Sequence, residues 1–208
     1  MPVLDRGGRE HLAGPHTGLE THITDITALV EAEEVHDVVL VAHSYAGAPV
    51  TGAADRLGDR VAHVVYVDSC PPPGGAAFVE LFPPQERERT AALVGDGRHL
   101  PPLPFDPAAD PVNLAGLDEA QLARLRRLAT PHPYATMTQP LRLSGKPLPP
   151  CTLIACSIPP EQVQAMIEEG NPFFAGLADA AVIALPTGHY PMLSEPARLA
   201  ALLASAVA

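Results

Sequence analysis

Continuous apolar runs alternate with amphipathic stretches along most of the chain. The first strong run, 38–42, is rich in β-branched residues, as expected of a strand buried on both faces of a parallel sheet. A helical stretch over 46–57 and a second apolar run over 62–67 follow it. Because strand, helix and strand in this order form a βαβ unit, the sheet is predicted to be parallel here. Two later runs complete a set of four predicted strands: 38–42, 62–67, 152–155 and 181–185.

Helical periodicity predicts the elements that cover this sheet. The motif Thr17-x-x-Glu20 predicts a capping box at the start of a helix. Five apolar side chains then share one face of that helix: Leu19, Ile23, Ile26, Leu29 and Val30. We also predict a helix at 161–169, closed by Gly170, and a terminal helix at 193–207. The pattern indicates an α/β fold with a mainly parallel sheet of about four strands and helices on both faces.

A proline-rich segment from approximately 71 to 150 interrupts this rhythm. The chain has 25 prolines, which are concentrated in this segment and separate short helical stretches. The clearest stretch is 118–130, where Asp118 is suited to cap the first turn. Because the strands resume afterwards, we predict a single domain over 1–208 in which the segment 71–150 is an insertion that forms a helical cap.

Composition and charge narrow the class of protein. Of the 208 residues, 47% are hydrophobic and 18% are charged, a balance typical of a globular domain. The 24 acidic residues exceed the 13 basic ones, and the net charge of -11 disfavours binding to nucleic acid or to an anionic membrane. The apolar runs are too short to span a bilayer. Since the N-terminus lacks a signal-peptide pattern and the three cysteines fit no metal-binding spacing, we expect a cytoplasmic protein without metal or cofactor.

The segment Leu40-Val-Ala-His-Ser-Tyr-Ala-Gly47 is the strongest chemical signal. A predicted strand runs into Ser44, and a helix follows at once. This layout is typical of a nucleophile elbow, whose tight turn requires small residues two positions either side of the serine. Glycine is usual there, but this chain has Ala42 and Ala46, so we expect a more strained turn. A serine at a strand end can also be a simple helix N-cap, and this segment alone leaves both interpretations open.

His189 is the candidate base. It lies in the motif Thr-Gly-His, on a short loop between the last predicted strand and the terminal helix. Loops that leave the carboxyl ends of parallel strands gather at one edge of the sheet. We therefore expect Ser44 and His189 to lie close together, although they are far apart in the sequence. The alternative is a solvent-exposed histidine without a chemical role, and His43 is expected only to pack beside the elbow.

These segments resemble the α/β-hydrolase superfamily, in particular a small bacterial esterase-like branch related to plant methyl esterases and hydroxynitrile lyases. The resemblance covers essentially the whole chain. It rests on the elbow and on four further segments: 7–12, 65–68, 136–141 and 187–189. It implies a Ser–Asp–His triad in that chain order. The implied activity is that of a serine hydrolase acting on a small carboxylic ester or lactone, or of a lyase that uses the same triad.

The resemblance leaves the acid of the triad to be assigned. Family members often carry it after the third predicted strand, but the loop 156–161 contains no aspartate. Asp68, at the end of the preceding strand, is an alternative position within the fold, and we predict that it is the acid. Glu161 is the second candidate. The competing interpretation of Asp68 is a residue that only caps its turn.

The resemblance also implies a segment that precedes this sequence. In the family, a strand, a loop and a helix come before the point where this chain begins, and that loop supplies one oxyanion donor. The other donor is the backbone N–H after the nucleophile, here Tyr45. We therefore expect an N-terminally truncated chain with weak activity, in which the strand 38–42 is exposed at a sheet edge. Such an edge favours pairing into a homodimer.

We expect a small ester substrate, held by apolar side chains of the insertion. The candidate contacts are Phe78, Phe82, Phe105, Tyr134 and Met137. A function of another class stays open, that of a binding protein which keeps the fold without the activity. The two alanines of the elbow, the acid missing from the usual loop and the missing oxyanion segment favour that alternative.

Overall fold

Parallel strands and short helices alternate in a computed structural model that describes residues 14, 16–95 and 97–206. The segment 7–12, which carries part of the family resemblance, lies outside these residues. The strands are β1 (Val38–His43), β2 (Val61–Val67), β3 (His99–Leu100), β4 (His132–Pro133), β5 (Cys151–Ala155) and β6 (Ala181–Ala184). The helices are α1 (Leu19–Ala32), α2 (Gly47–Leu57), α3 (Pro84–Leu93), α4 (Glu119–Leu128), α5 (Ala135–Thr138), α6 (Pro160–Glu168), α7 (Pro191–Ser194) and α8 (Pro196–Ser205).

The main sheet has four strands in the order β1-β2-β5-β6. All three neighbouring pairs are parallel. Each of the four predicted strands is present, and each differs from its expected range by one residue at one end. Among the described residues, no helix is both long and apolar enough to cross a membrane.

Alternate side chains of β2 build a core on each face of the sheet. Val64 and Tyr66 pack into the core that α1, α2 and α6 cover, whereas Val65 and Val67 pack into the core that α8 covers. This alternation follows from the two-residue period of a strand. The predicted α/β fold with helices on both faces is therefore confirmed.

Strand β1 differs from the expectation that it is buried on both faces. Ala42 is fully buried, but Val41 is 47% exposed and the three residues before it are only partly buried. Within the described part of the chain, β1 is an outer strand with a neighbour on one side only. The apolar run therefore reflects strand propensity more than complete burial.

Two predicted helix boundaries are wrong. Helix α1 begins after Gly18, and the carboxylate of Glu20 binds the Arg56 guanidinium through both oxygens, so Thr17 and Glu20 form no capping box. The terminal helix is not continuous, because the backbone leaves the helical conformation at Glu195 before Pro196 starts α8. Proline is favoured at such a first helical position.

The described part of the segment between β2 and β5 contains the helices α3, α4 and α5, a 3-10 helix at Phe78–Leu81 and the antiparallel pair β3–β4. Asp118 caps α4 as predicted, since its carboxylate accepts a hydrogen bond from the Gln121 amide at 2.8 Å. This segment also reaches the loop after β6. Backbone amides of that loop donate to the carbonyl oxygens of Asn113 and Ala115. The insertion thus helps to hold the loop that carries His189.

Candidate active site

Ser44 lies at the carboxyl end of β1, on a single 3-10 turn that leads into α2. Its φ angle is +55°, a left-handed conformation that costs a non-glycine residue energy and is common at functional sites. The expected strain is therefore at Ser44 and not at the alanines beside it. Ala46 has an ordinary helical φ of -59°, and Ala42 is an ordinary, fully buried strand residue.

Gly47 is a structural requirement of the elbow that sequence reasoning missed. A Cβ atom at this position would clash with the backbone carbonyl of Cys70 and with the Ser69 hydroxyl. That hydroxyl donates to the Ser44 carbonyl at 2.5 Å. The start of α2 can therefore approach the loop after β2 only because residue 47 has no side chain. A small residue three positions after the serine was the available signal.

His189 lies between the other two predicted triad residues. Its Nε2 atom is 2.8 Å from the Ser44 hydroxyl, and its Nδ1 atom is 2.5 Å from Asp68 Oδ2. An ionised carboxylate can only accept a hydrogen bond, so Nδ1 carries the proton and Nε2 is the acceptor for the Ser44 hydroxyl. The three side chains thus form one continuous hydrogen-bond chain.

The loop around His189 is fixed from two sides. The His189 amide donates to the Asn113 carbonyl at 2.7 Å, and a side chain at Gly188 would collide with that carbonyl. On the other side, His43 Nε2 donates to the His189 carbonyl at 2.6 Å. Burial, together with nearby His189, lowers the pKa of His43 to about 4, so this imidazole is neutral at neutral pH. His43 therefore holds the histidine loop besides packing against the elbow.

Asp68 accepts four hydrogen bonds. Besides His189, its donors are the Cys156 amide at 3.1 Å, the Ser157 amide at 3.0 Å and the Ser157 hydroxyl at 2.6 Å. Burial alone raises the pKa of this carboxyl group, but the bonds from His189 and Ser157 outweigh burial and leave the pKa below its usual value. Asp68 is therefore ionised and nearly buried, with a side-chain exposure of 7%.

Glu161, the second candidate for the acid, is exposed in the first turn of α6. Ser157 is the residue of this region that sequence reasoning missed. It lies in the loop after β5 and donates to Asp68 from its amide and its hydroxyl. A hydroxyl residue two positions after the predicted strand 152–155 was the available signal for it.

Tyr45 follows the serine, as the predicted oxyanion donor must. Its hydroxyl lies 3.0 Å from Nδ1 of the fully buried His22. Its ring makes edge contacts with Phe78 and His132, at centroid distances of 5.7 and 4.6 Å. These contacts fix the side chain of Tyr45 on the side of the insertion. Its backbone amide lies in the 3-10 turn Ser44–Ala46, directly after the serine.

A cavity of about 530 Å³ opens beside His189 and Asp68. Of the five predicted substrate contacts, only Phe82 lines it, and Phe78 stacks edge-on against Phe82. Tyr134 and Met137 pack with Phe78 and Tyr45 in a neighbouring cluster. Phe105 is buried in a different cluster, with Leu114 and with Leu122 of α4. Its ring contacts Tyr190.

Two cysteine thiols near the site, those of Cys70 and Cys156, are buried. Burial raises the pKa of Cys70 and of Cys156 to about 12, so both thiols are protonated at neutral pH. All three cysteines are free.

Within residues 14, 16–95 and 97–206, His, Cys, Asp and Glu side chains form no group of three or more that could hold a metal ion.

The chain is similar in sequence to known hydrolases. The Alpha/beta hydrolase family matches residues 6–202. A curated relative, the carbendazim hydrolyzing esterase of Nocardioides sp. (strain SG-4G), is 32% identical over 212 residues, which cover 96% of this chain and 83% of the relative.

Solved structures agree on the fold. An extracellular alpha/beta-hydrolase from a Paenibacillus species superposes with a TM-score of 0.78 at 18% identity and covers 99% of this chain and 85% of its own. The methylesterase MES16 from Arabidopsis gives a TM-score of 0.71 at 17% identity, over 100% of this chain and 85% of its own. Family match, esterase relative and shared fold lead to one assignment: the chain is an enzyme that belongs to the alpha/beta hydrolase family.

Proposed function

We propose that this enzyme hydrolyses a small carboxylic ester or lactone with Ser44 as nucleophile, His189 as general base and Asp68 as the acid. The hydrogen-bond chain that joins their side chains carries this proposal. It is the arrangement in which a base activates a hydroxyl nucleophile and is itself oriented by a third group.

In the first step, Ser44 Oγ attacks the ester carbonyl while its proton moves to His189 Nε2. Asp68 holds the proton on Nδ1 and stabilises the imidazolium that forms. The hydrogen bonds from His189 and Ser157 keep this carboxylate ionised, as the role requires. The amide of Tyr45 is the proposed donor to the oxyanion.

Collapse of the tetrahedral intermediate breaks the bond to the alcohol oxygen, which takes the proton from His189 Nε2. Water then attacks the acyl group on Ser44 with His189 again as base, and the acid product leaves. Atoms and protons balance without a cofactor.

The sequence relative supports hydrolysis over the alternatives. A protein that is 32% identical is named an esterase, which favours an active enzyme over a binding protein that only keeps the fold. Phe78, Phe82, Tyr134 and Met137 remain proposed substrate contacts, because they surround Tyr45 or the cavity. We no longer assign Phe105, which is buried in another cluster.

Substitution of the nucleophile and the base tests the proposal. We expect Ser44→Ala and His189→Ala each to abolish turnover of short p-nitrophenyl esters without unfolding the chain, since triad residues act as a unit. Exposed residues of the same types, in Ser205→Ala and His36→Ala, are the matched controls. A fluorophosphonate probe read by mass spectrometry should label Ser44 in the unmodified protein. Turnover that survives in both triad variants would contradict the proposal.

We also propose that β1 pairs with a second copy of the chain. Its support is the outer position of this strand in the described sheet and the 47% exposure of Val41. Light scattering should then give the mass of a dimer, and Val41→Lys should shift it towards the monomer. A monodisperse monomer before substitution would contradict this pairing.

A further inference from the structure

We propose that the cavity beside His189 binds the alcohol part of the ester, so that the enzyme prefers esters of bulky, uncharged alcohols. This inference rests on the proposed function and names its substrate class. The cavity has a volume of about 530 Å³, within the usual range for sites that bind small organic molecules.

The cavity lies against two residues of the proposed triad, His189 and Asp68. The residues that line it include His189, Asp68 and Ser69, and the Ser69 hydroxyl is bonded to the Ser44 carbonyl. Ser44 itself is not among the lining residues. A group in this cavity therefore contacts His189 and not Ser44.

The proton transfer that completes acylation indicates which part of the ester would occupy the cavity. When the bond between the ester carbon and the alcohol oxygen breaks, the proton on His189 Nε2 moves to that oxygen. The leaving oxygen must therefore face His189 in the tetrahedral intermediate. The substituent on that oxygen continues on the histidine side, which is where the cavity lies.

The lining defines the kind of alcohol. The lining includes buried side chains of β5 and α6, namely Leu153, Ala155 and Val163, and the aromatic residues Phe82, Phe173 and Phe174. An apolar group gains free energy when it leaves water for such surroundings.

Charge on the cavity walls excludes one class of alcohol. The charged side chains in the lining are the carboxylates of Asp68 and Glu86, and the lining includes neither Lys nor Arg. An alcohol that bears a carboxylate would be desolvated beside like charge. The complementary substrate is therefore a neutral ester with a ring or a branched chain on its alcohol side.

Four esters test this inference with the unmodified enzyme. Phenethyl acetate carries the ring on the alcohol side, ethyl hydrocinnamate carries the same ring on the acyl side, and ethyl acetate has no ring. A para-carboxy derivative of phenethyl acetate adds the negative charge. In a pH-stat assay we expect kcat/KM for phenethyl acetate to exceed that of the other three by roughly tenfold or more, since even one methylene in an apolar pocket gives about tenfold.

A filling substitution separates the cavity from the general reaction. Met166 lines the cavity and is only partly buried, so Met166→Trp should remove the preference for phenethyl acetate over ethyl acetate. Leu128→Trp, at a site on α4 that is 54% exposed, is the matched control and should retain the preference.

The outcomes are distinguishable from failure of the proposed function. Equal kcat/KM for phenethyl and ethyl acetate, or a preference for ethyl hydrocinnamate, would overturn the assignment of the cavity while hydrolysis by Ser44 stands. An unchanged preference in a folded Met166→Trp variant would overturn it as well. Turnover that persists in Ser44→Ala would instead refute the proposed function.

Discussion

Ser157→Ala should destabilise the protein in a way that depends on pH. The substitution removes the hydroxyl that donates to Asp68 Oδ2 at 2.6 Å and leaves the Cys156 and Ser157 amides in place. Asp68 then keeps three of its four donors. The side chain of Asp68 is only 7% exposed, so the lost hydroxyl removes a hydrogen bond to a mostly buried, ionised acceptor.

The size of the effect follows from the charge of the acceptor. A hydrogen bond to an ionised group contributes about 1.5–3 kcal/mol, so the free energy of unfolding at neutral pH should fall by an amount in this range. Burial opposes ionisation of Asp68 and the bonds from His189 and Ser157 favour it. Removing one of these bonds therefore raises the pKa of Asp68.

The sign of the pH dependence is fixed by the lowered pKa. A carboxyl group whose pKa is lower in the folded state stabilises that state above its unfolded pKa, and the stabilisation is lost as pH falls through the folded value. The difference between the unmodified protein and Ser157→Ala should thus be largest at neutral pH and shrink below about pH 4, near the unfolded value for aspartate.

Urea unfolding at a series of pH values measures this difference, and the p-nitrophenyl ester assay gives kcat in parallel. We expect kcat to fall, but less than in Asp68→Asn, because His189 keeps its carboxylate partner. Ser157→Thr keeps a hydroxyl and should restore both quantities, whereas Ser205→Ala, at the exposed end of α8, should change neither. A loss of stability that is the same at every pH would refute the assignment of the effect to ionised Asp68.

Two further substitutions test the acid and the elbow. Asp68→Asn should lower kcat by a factor on the order of 10⁴, because the amide favours the wrong histidine tautomer, and Glu161→Gln should change little; the opposite ranking in the same ester assay would move the acid to α6. Gly47→Ala should lower the free energy of unfolding by roughly 1–3 kcal/mol, since the added methyl overpacks against the Cys70 carbonyl. Gly95→Ala, where a Cβ meets no atom within 4 Å, is its control in urea unfolding, and equal stability of the two variants would contradict this account.

The sheet was predictable because its strands carry a local signal. Runs such as 62–67 and 152–155 are apolar and β-branched, and the helix between the first two strands requires parallel pairing. The exposure of Val41 was not predictable from the run 38–42, because a run of this kind does not reveal how many neighbours the strand has. The break at Glu195 was missed because helical periodicity continues across it, although Pro196 marks the new start.

The proximity of Ser44, Asp68 and His189 was predictable because each of them follows a strand. Ser44, Asp68 and His189 each follow a strand of one parallel sheet, so topology alone places them at the same edge. Contacts between segments that are distant in the sequence were not predictable in this way. The approach of Asn113 to the His189 amide depends on how the insertion folds back, and no periodicity encodes it. The position of Phe105, away from the cavity, is a packing outcome of the same insertion.

Strand register explains why Asp68 can replace an acid on the loop after β5. Val67 pairs with Ile154, and the Asp68 amide donates to the Ile154 carbonyl, so the two strands end side by side. A carboxylate after β2 and one after β5 can therefore reach the same histidine. With the carboxylate on β2, the loop after β5 supplies donors in its place, namely the Cys156 amide and both donors of Ser157. In the proposed triad the carboxylate thus lies after β2, and the loop after β5 provides hydrogen-bond donors to it.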